Sequence, residues 1–198
     1  MLVESVLKDT VPNAVVIDIG TGTGDLIFDY MKTRKTTDET PVVGIDLSFS
    51  MLLRAQSKLK GESHWIQASA EKLPLGSNSC DALVSAFTIR NLKKILPQTL
   101  KEMWRVLKPG GKLFLLEMTV PPYWILKTLH HLYLKTILPI VGRTVFQKEW
   151  SGSYLSETIL HFWSPDQFCK ILTESRFQNV KYQTITGGIA VLHNASKP

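Results

Sequence analysis

The sequence predicts an α/β fold built on a mostly parallel sheet, and three observations lead to this prediction. Short apolar, β-branched runs alternate along the chain with longer segments of helical periodicity, a pattern typical of parallel sheets with helices on both faces. The first of these runs ends in a turn with glycines at positions 20, 22 and 24. Two short apolar runs flank the glycine pair at 187–188, which indicates an antiparallel hairpin at the end of the sheet.

The predicted strands and helices follow one another in this rhythm. Ser48 or Ser50 is a suitable N-cap for the second helix, and Pro109 with its two following glycines stops the third. The pattern predicts a doubly wound, Rossmann-like sheet of about seven strands in a single domain over residues 1–198. In chain order the strands are Val15–Ile19, Val42–Asp46, His64–Gln67, Ala82–Ala86, Lys112–Met118, Val180–Ile185 and Ile189–His193, and the helices are Asp25–Met31, Met51–Leu59, Leu100–Leu107 and Pro165–Glu174.

The segment around 121–152 interrupts the alternation. It is strongly apolar, with aromatic and leucine residues spaced by a few lysines and histidines. We expect a lid-like insertion that packs over the sheet. This composition is compatible with two interpretations. The segment could be an ordinary amphipathic core helix, or it could cover an apolar substrate or contact a membrane surface.

Composition and charge exclude several classes of protein. The net charge is +6, but lysine and arginine are dispersed, and no zinc-finger or RNA-binding signature occurs, so we expect no nucleic-acid partner. The two cysteines, Cys80 and Cys169, have no metal-ligand spacing, so we expect no metal site. No apolar run approaches the ~20 residues of a membrane span. A cytoplasmic protein is predicted, with peripheral membrane contact and a homodimer both left open.

The glycine turn carries the first functional signal. Glycines at alternate positions let the backbone turn tightly and let a ligand lie against it. A dinucleotide site has the spacing GxGxxG, whereas this turn has GxGxG, and the GxGxxG register places Asp25 at the last glycine. A carboxylate there repels phosphate but suits a cation. Together with the acidic Asp18 before the turn, this spacing favours S-adenosylmethionine, which carries a sulfonium and an ammonium, and disfavours a nicotinamide dehydrogenase.

The second predicted strand ends in Asp46, about twenty residues after the glycines. A carboxylate in this place can accept hydrogen bonds from both hydroxyls of a ribose. Because nicotinamide and adenosyl cofactors both contain a ribose, Asp46 supports a nucleoside ligand without choosing between them.

Longer motifs resemble a known family. The stretch 16–25, VIDIGTGTGD, looks like the first motif of class I methyltransferases, and 67–75, QASAEKLPL, looks like their adenine loop. The stretches 86–91, AFTIRN, and 103–111, MWRVLKPGG, resemble the ubiquinone/menaquinone biosynthesis C-methyltransferases, as does the closing TGGIAVLH at 186–193. The resemblance extends from about Val15 to His193. It implies methylation of a ring carbon of a polyprenylated quinol precursor, with S-adenosylmethionine as the donor.

The resemblance also implies residue roles at the cofactor. Asp46 would hold the ribose, Thr23 would border the methionine part, and Ser69 with Ala70 would meet the adenine. The full cofactor set expected from the resemblance is Asp18, Gly20, Thr21, Gly22, Thr23, Gly24, Asp46, Leu47, Ser69, Ala70 and Ala86.

Three departures from the family pattern stand out. The family usually has Asp or Asn at the position of Ser69, and many members have Ser at the position of Ala86. The family's N-terminal segment, which helps to close the site, has no counterpart before Val15, so we expect a shortened or divergent member.

Methylation of a ring carbon needs a base and a donor that stabilises the phenolate. We predict that Arg90 stabilises the phenolate and that Asn91 orients the ring. Asp25 and His193 are alternative bases. Tyr154 is a candidate for the quinone pocket. Two structural alternatives remain: Arg90 could form an ion pair, and His193 could be a buried strand residue. Two alternative functions also remain, namely a methyltransferase for another small molecule and an inactive relative that binds the cofactor.

Overall fold

The computed structural model describes residues 1–11, 13–34, 42–59, 63–137 and 152–198. They form one seven-stranded sheet in the order β3-β2-β1-β4-β5-β7-β6. The first five strands in this order are parallel, and β7 runs antiparallel between β5 and β6. The predicted fold class is therefore confirmed, including the terminal hairpin. The strands are β1 Val16–Ile19, β2 Val42–Asp46, β3 Ser63–Gln67, β4 Cys80–Ala86, β5 Leu107–Met118, β6 Gln178–Ile185 and β7 Ala190–Ser196.

Helices connect the strands and cover both faces of the sheet. A 3-10 segment, Ile89–Ile95, joins β4 to α4, and a π-helical turn, Tyr133–Ile137, continues α5. Ser164 begins α7 with a capping box, since its side chain and that of Gln167 bond each other's backbone N–H groups. The helices are α1 Leu2–Asp9, α2 Asp25–Thr33, α3 Phe49–Lys58, α4 Leu96–Val106, α5 Trp124–Leu132, α6 Gly152–Leu160 and α7 Pro165–Glu174.

The fifth strand is longer than the sequence pattern indicates. It begins at Leu107, which pairs with Cys80, and then continues from Lys112, which pairs with Ala82. The intervening residues form a bulge opposite Asp81, and the glycine at 110 takes a positive φ of 79° within it. The Pro-Gly-Gly run therefore ends α4 as expected, but it lies within the strand rather than before it.

The core has two layers, one on each face of the sheet. Alternation along β5 separates them, because Leu113 and Leu115 face the layer that contains α4 and α7, whereas Phe114 faces the layer that contains α1 and α2. The first layer includes Met103 and Phe168. Helices thus pack against both faces of the sheet, and this packing fixes the positions of the carboxyl ends of its strands.

The predicted lid-like insertion is only partly described. Its first half forms α5 and the π-helical turn, and residues 138–151 lie outside the described residues. Among the described helices, none has the length and apolar character needed to span a bilayer. The division of the chain into one domain with an insertion stays a prediction.

Lys197 fastens the end of the last strand to the rest of the fold. Its buried ammonium group donates hydrogen bonds to Oδ1 of Asn78 at 2.7 Å and to the carbonyl oxygens of Trp104 and Leu107 at 2.9 and 2.8 Å. The same nitrogen lies 3.9 Å from the centroid of the Trp104 ring, which adds a cation–π contact. Its removal would leave buried acceptors without a donor.

We expect Lys197→Met to lower the free energy of unfolding by about 2–3 kcal/mol, because buried acceptors that lose their donor cost about 1–3 kcal/mol. The measurement is equilibrium denaturation in urea. The control is Lys181→Met, which changes an exposed lysine on β6. Equal stability of the two variants would contradict the anchoring role.

Candidate active site

A large cavity opens at the carboxyl ends of β1, β2 and β4, where the strand order reverses direction. Ligands of doubly wound sheets bind at this place. The cavity has a volume of about 940 Å³, near the upper end of the range of about 300–1,000 Å³ for small-molecule sites. Of the residues predicted from sequence, its lining contains Asp18, Gly20, Thr21, Gly22, Thr23, Asp25, Asp46, Leu47, Ser69, Ala70, Ala86 and Asn91.

The glycine turn forms the floor of this cavity, and its conformation explains why glycine is needed. Gly20, Gly22 and Gly24 have φ values of 71°, 54° and 73°, in the left-handed region that favours glycine. A Cβ on Gly20 would lie 2.2 Å from Cγ2 of Thr88. A Cβ on Gly24 would lie 2.8 Å from the Trp65 ring, so Gly24 serves packing beneath the turn rather than the cavity lining.

The end of β2 holds the turn in place. The carbonyl oxygen of Ile45 accepts hydrogen bonds from the backbone N–H groups of Gly20 at 2.7 Å and Thr21 at 3.1 Å. Oδ2 of Asp46 accepts the N–H of Gly22 at 2.8 Å, and Oδ1 accepts the N–H of Ser48 at 2.8 Å. Each carboxylate oxygen retains a further lone pair. Asp46 is therefore held rigidly with both oxygens able to accept from a ribose.

Asp18 is a buried carboxyl group with an unused oxygen. Its side chain is 1% exposed and lines the cavity, and Oδ1 has no hydrogen-bond partner among the described residues. Burial raises the pKa of Asp18 to about 7, and the nearby charge of Asp46 adds to the rise. The Thr21 hydroxyl opposes the pKa rise, although its geometry falls short of a hydrogen bond. A cation in the cavity would satisfy this carboxylate.

Asp25 lies at the exposed rim, at the start of α2. Its carboxylate forms a salt bridge with Lys58 and accepts a hydrogen bond from the Thr23 hydroxyl. Both contacts lower the pKa of Asp25, the Lys58 contact more strongly. The carboxylate is therefore kept ionised and partnered, which makes it a weak base. Its predicted catalytic role stays untested.

Arg90 does not line the cavity; it forms a buried ion pair behind it. Nη1 of Arg90 lies 2.9 Å from Oε2 of Glu117, and the backbone N–H of Arg90 donates to Oε1 of Glu117 at 3.2 Å. The exposed fractions of the two side chains are 9% and 0%. Burial raises the pKa of Glu117, and the guanidinium opposes that rise. The structure thus brings Asn91, but not the guanidinium of Arg90, to the cavity wall.

His193 lies away from the cavity. It occupies the middle of β7 opposite Leu115, and its ring packs edge-on against Phe168 at 5.0 Å and near Tyr182 at 5.8 Å. Burial lowers the pKa of His193 to about 4, so the ring is neutral at neutral pH and is a weak base. The structure does not bring His193 together with the other predicted catalytic residues. Tyr154 belongs to α6, and its side chain lies outside the described residues.

Sequence reasoning missed Glu117. A lone acidic residue in the apolar run LFLLEM is a signal of a buried partner, because an unpaired charge in a strand core is costly. Thr88 also has a role that its motif did not reveal, since its hydroxyl donates to the carbonyl oxygens of Gly20 at 3.1 Å and Ala86 at 3.2 Å. It ties the end of β4 to the glycine turn.

Comparisons with known proteins agree with this geometry. The sequence model of the ubiE/COQ5 methyltransferase family matches residues 3–197. The ubiquinone/menaquinone biosynthesis C-methyltransferase UbiE of Geotalea daltonii is 34% identical over 191 residues, which cover 94% of this chain and 80% of that protein. The UbiE protein of Pseudomonas aeruginosa is 36% identical over 188 residues, which cover 92% of this chain and 72% of that protein.

Solved structures show the same fold. A SAM-dependent methyltransferase from Aquifex aeolicus superposes with a TM-score of 0.68 at 20% identity, covering 99% of this chain and 89% of that one. Together with the family match, this supports S-adenosylmethionine as the ligand of the cavity, as the turn predicted. The residues present fit that cofactor, because the free oxygen of Asp18 would suit a cationic group and the fixed oxygens of Asp46 can accept hydrogen bonds from a ribose.

We expect the affinity for S-adenosylmethionine to rise about tenfold per pH unit between about pH 5 and 7 and then to level off. The reason is that the free protein holds a proton on Asp18 up to about pH 7, whereas a bound ammonium favours the ionised carboxylate, so binding releases the proton. Calorimetry at several pH values measures this.

Asp18→Asn should bind more weakly at pH 7 and lose this pH dependence. Asp9→Asn, which changes an exposed carboxylate at the end of α1, should keep it. A wild-type affinity that is independent of pH over this range would contradict the assignment.

Proposed function

The chain belongs to the ubiE/COQ5 methyltransferase family, and we propose that it methylates a ring carbon of a prenylated quinol precursor with S-adenosylmethionine as the donor. The observation that carries the proposal is one cavity with two chemically different halves. The half between β1 and β3 presents carboxylates, and the half beside β4 and β5 presents apolar side chains and an amide.

The acidic half suits the cofactor. In this proposal the free oxygen of Asp18 would meet the methionine end, the two oxygens of Asp46 would accept from the ribose, and Leu47, Ser69 and Ala70 would border the adenine. When bound, the cofactor would supply a methyl group. The acceptor carbon would bond to that methyl group as the sulfur–carbon bond breaks with its electron pair left on sulfur, and the ring carbon would then lose its proton to water, with Asp25 as the proposed base.

The other half suits a neutral, lipid-like ring. It is walled by Leu92 and Ile95 from the 3-10 segment, by Leu116 from β5 and by the start of α1, including Leu2. The polar residues that line this side include Thr88, Asn91 and, from the start of α1, Glu4. The amide of Asn91 can donate to a ring oxygen and accept from a ring hydroxyl. We assign Asn91 to orienting the ring.

Three further roles remain proposals. Arg90 would favour the phenolate through its positive charge from behind the wall, in partnership with Glu117. Asp25 would act as base through water at the rim, against the effect of Lys58. Tyr154 would line the quinol pocket from α6. For His193 the buried position under α7 favours a structural role.

The test is an assay of the purified chain with S-adenosylmethionine and a geranyl-substituted 1,4-quinol that lacks the ring methyl group. Mass spectrometry should detect a gain of one methyl group on the ring carbon. Methylation of unrelated phenols or amines alone would support a different small-molecule methyltransferase. Cofactor binding without methyl transfer to any acceptor would support an inactive relative.

We expect Asp46→Ala to weaken cofactor binding at least tenfold, because charged-group hydrogen bonds contribute about 1.5–3 kcal/mol. Glu174→Ala, at an exposed position at the end of α7, is the control and should bind normally. Calorimetry with the cofactor gives the measurement. Unchanged affinity in Asp46→Ala would refute the ribose role.

We further propose that α5 contacts an anionic membrane surface, from which a prenylated substrate would enter. The exposed side chains around α5 include large apolar and aromatic groups, and Trp124 is 77% exposed. Lys127 and Lys135 are exposed among them. Aromatic and leucine side chains with interspersed lysines are typical of helices that lie in the membrane interface. The net charge of +6 favours anionic lipid. The cytoplasmic location stays a prediction.

We expect the protein to co-sediment with vesicles of phosphatidylcholine and phosphatidylglycerol, and more weakly with phosphatidylcholine alone. Trp124→Glu combined with Leu129→Glu should abolish co-sedimentation, since charge at the interface opposes burial of the helix. Phe49→Glu, at an exposed phenylalanine on α3, is the control.

Unchanged vesicle binding by the double variant would overturn this assignment. Light scattering without lipid gives the molar mass of the wild type and of the double variant, and so tests whether the protein is a homodimer. A dimer that dissociates on the double substitution would show that α5 is covered by a second copy instead.

A further inference from the structure

The turn that follows β4 contains a strained aromatic residue. Phe87 has a φ of 58°, in the left-handed region that bulky side chains rarely adopt. Its side chain is 41% exposed and forms part of the cavity wall. Full burial of the ring therefore does not offset the backbone strain. Strained residues at cavities often have a functional role.

Contacts with β5, the glycine turn and the 3-10 segment hold this conformation. The N–H of Phe87 donates to the carbonyl oxygen of Leu116 on β5 at 2.8 Å. The next residue, Thr88, is tied to the glycine turn through Gly20. The N–H of Asn91 donates to the carbonyl oxygen of Thr88 at 2.9 Å, which closes the turn.

The buried ion pair secures the far side of the same turn. Glu117 accepts both the backbone N–H and the guanidinium of Arg90, three residues after Phe87. The guanidinium carbon of Arg90 lies 5.9 Å from the centroid of the Phe87 ring, within the distance of a cation–π contact. The ring is thereby held from behind by a cation whose charge Glu117 balances.

The strand order places Phe87 on the acceptor side of the cavity. Asp46 ends β2, and Ser69 and Ala70 follow β3, so they lie on one side of β1, whereas Phe87 follows β4 on the other side. Adjacent strands are about 4.8 Å apart, so the ends of β2 and β4 are separated by roughly 10 Å. An aromatic ring on the β4 side faces the acceptor half rather than the ribose and adenine positions.

We propose that Phe87 is a specificity-determining residue that packs its ring against the aromatic ring of the acceptor, and that the Arg90–Glu117 pair positions it. This inference rests on the proposed function and deepens it. An offset or edge-to-face pair of aromatic rings favours a planar quinol over an aliphatic acceptor and fixes the plane of the ring. The strained backbone presents the ring before the substrate arrives.

The test compares the binding of two probes to the protein loaded with S-adenosylhomocysteine. One probe is the geranyl-substituted quinol, and the other is geraniol, which has the tail but no ring. Phe87→Leu should weaken binding of the quinol about 3- to 10-fold, the range expected for loss of an aromatic pair. It should leave geraniol binding and S-adenosylmethionine affinity within twofold of wild type. Phe87→Tyr, which keeps the ring, should restore quinol binding.

Phe49→Leu is the matched control, because Phe49 is exposed on α3 outside this cavity, and it should behave as wild type. Equal loss for both probes, loss of cofactor affinity, or unchanged quinol binding in Phe87→Leu would each overturn the proposal. Because these are binding measurements, they remain decisive if the quinol is bound but not methylated. In that case the proposed reaction would be contradicted, but the binding of the two probes would still test the role of Phe87.

A second pair of variants examines the positioning role. Glu117→Gln should weaken quinol binding with cofactor affinity kept, and combining it with Phe87→Leu should add little further loss, because both changes act on one ring. Fully additive losses would show that the ion pair does not act through Phe87. Circular dichroism at the assay temperature confirms that the compared variants are folded.

Discussion

The site depends on the hydrogen bonds between the end of β2 and the glycine turn after β1. One carbonyl oxygen, that of Ile45, accepts the N–H groups of Gly20 and Thr21, and the Asp46 carboxylate accepts that of Gly22. These bonds exist only because β1 and β2 are adjacent, parallel and in the register that pairs Ile19 with Ile45. The turn that these bonds hold has positive φ values at Gly20, Gly22 and Gly24, and such values favour glycine.

The shape of the cofactor half is therefore a property of the sheet and not of a flexible loop. This arrangement lowers the ordering cost of binding, since the acceptor atoms are in place before a ligand arrives.

The two halves of the cavity also differ in their charged groups. Asp18 and Asp46 bring two carboxyl groups close together, and burial raises the pKa of Asp18 above its value in an unfolded chain. Its contribution to folding is thus most favourable below about pH 4 and is lost as the pH rises through about 7. A cationic ligand removes this penalty. On the other side, Glu117 balances Arg90, so the acceptor half carries no uncompensated charge from this pair. The cavity is suited to a cationic donor beside a neutral acceptor.

Local patterns are sufficient to predict most of the fold and most of the residues that line the cavity near the glycine turn. β-Branched runs, helical periodicity and the glycine spacing are short-range signals, and Asp46 follows from the length of one strand–helix–strand unit. The start of β5 could not be predicted, because the bulge opposite Asp81 depends on pairing with β4.

The acceptor side was less predictable because it depends on long-range pairing. Arg90 is 27 residues from Glu117, and their contact requires β4 and β5 to be neighbours. The position of His193 depends on parity along β7, where Leu192 faces one layer of the core and His193 the other. A shift of one residue would have reversed both. Sequence motifs indicated Arg90 and His193 but not which way their side chains face, and they did not indicate Glu117.

Thr88 links the two halves of the cavity, since its hydroxyl donates to the carbonyl oxygen of Gly20 and its methyl group fills the space above that glycine. Beyond it, the acceptor wall is shaped by Phe87 and by the buried pair behind it. A change in Glu117 or Phe87 can therefore alter the acceptor while the bonds that hold the glycine turn stay intact. A fold that keeps one cofactor site and varies its acceptor needs this separation, because function resides in the site and not in the fold.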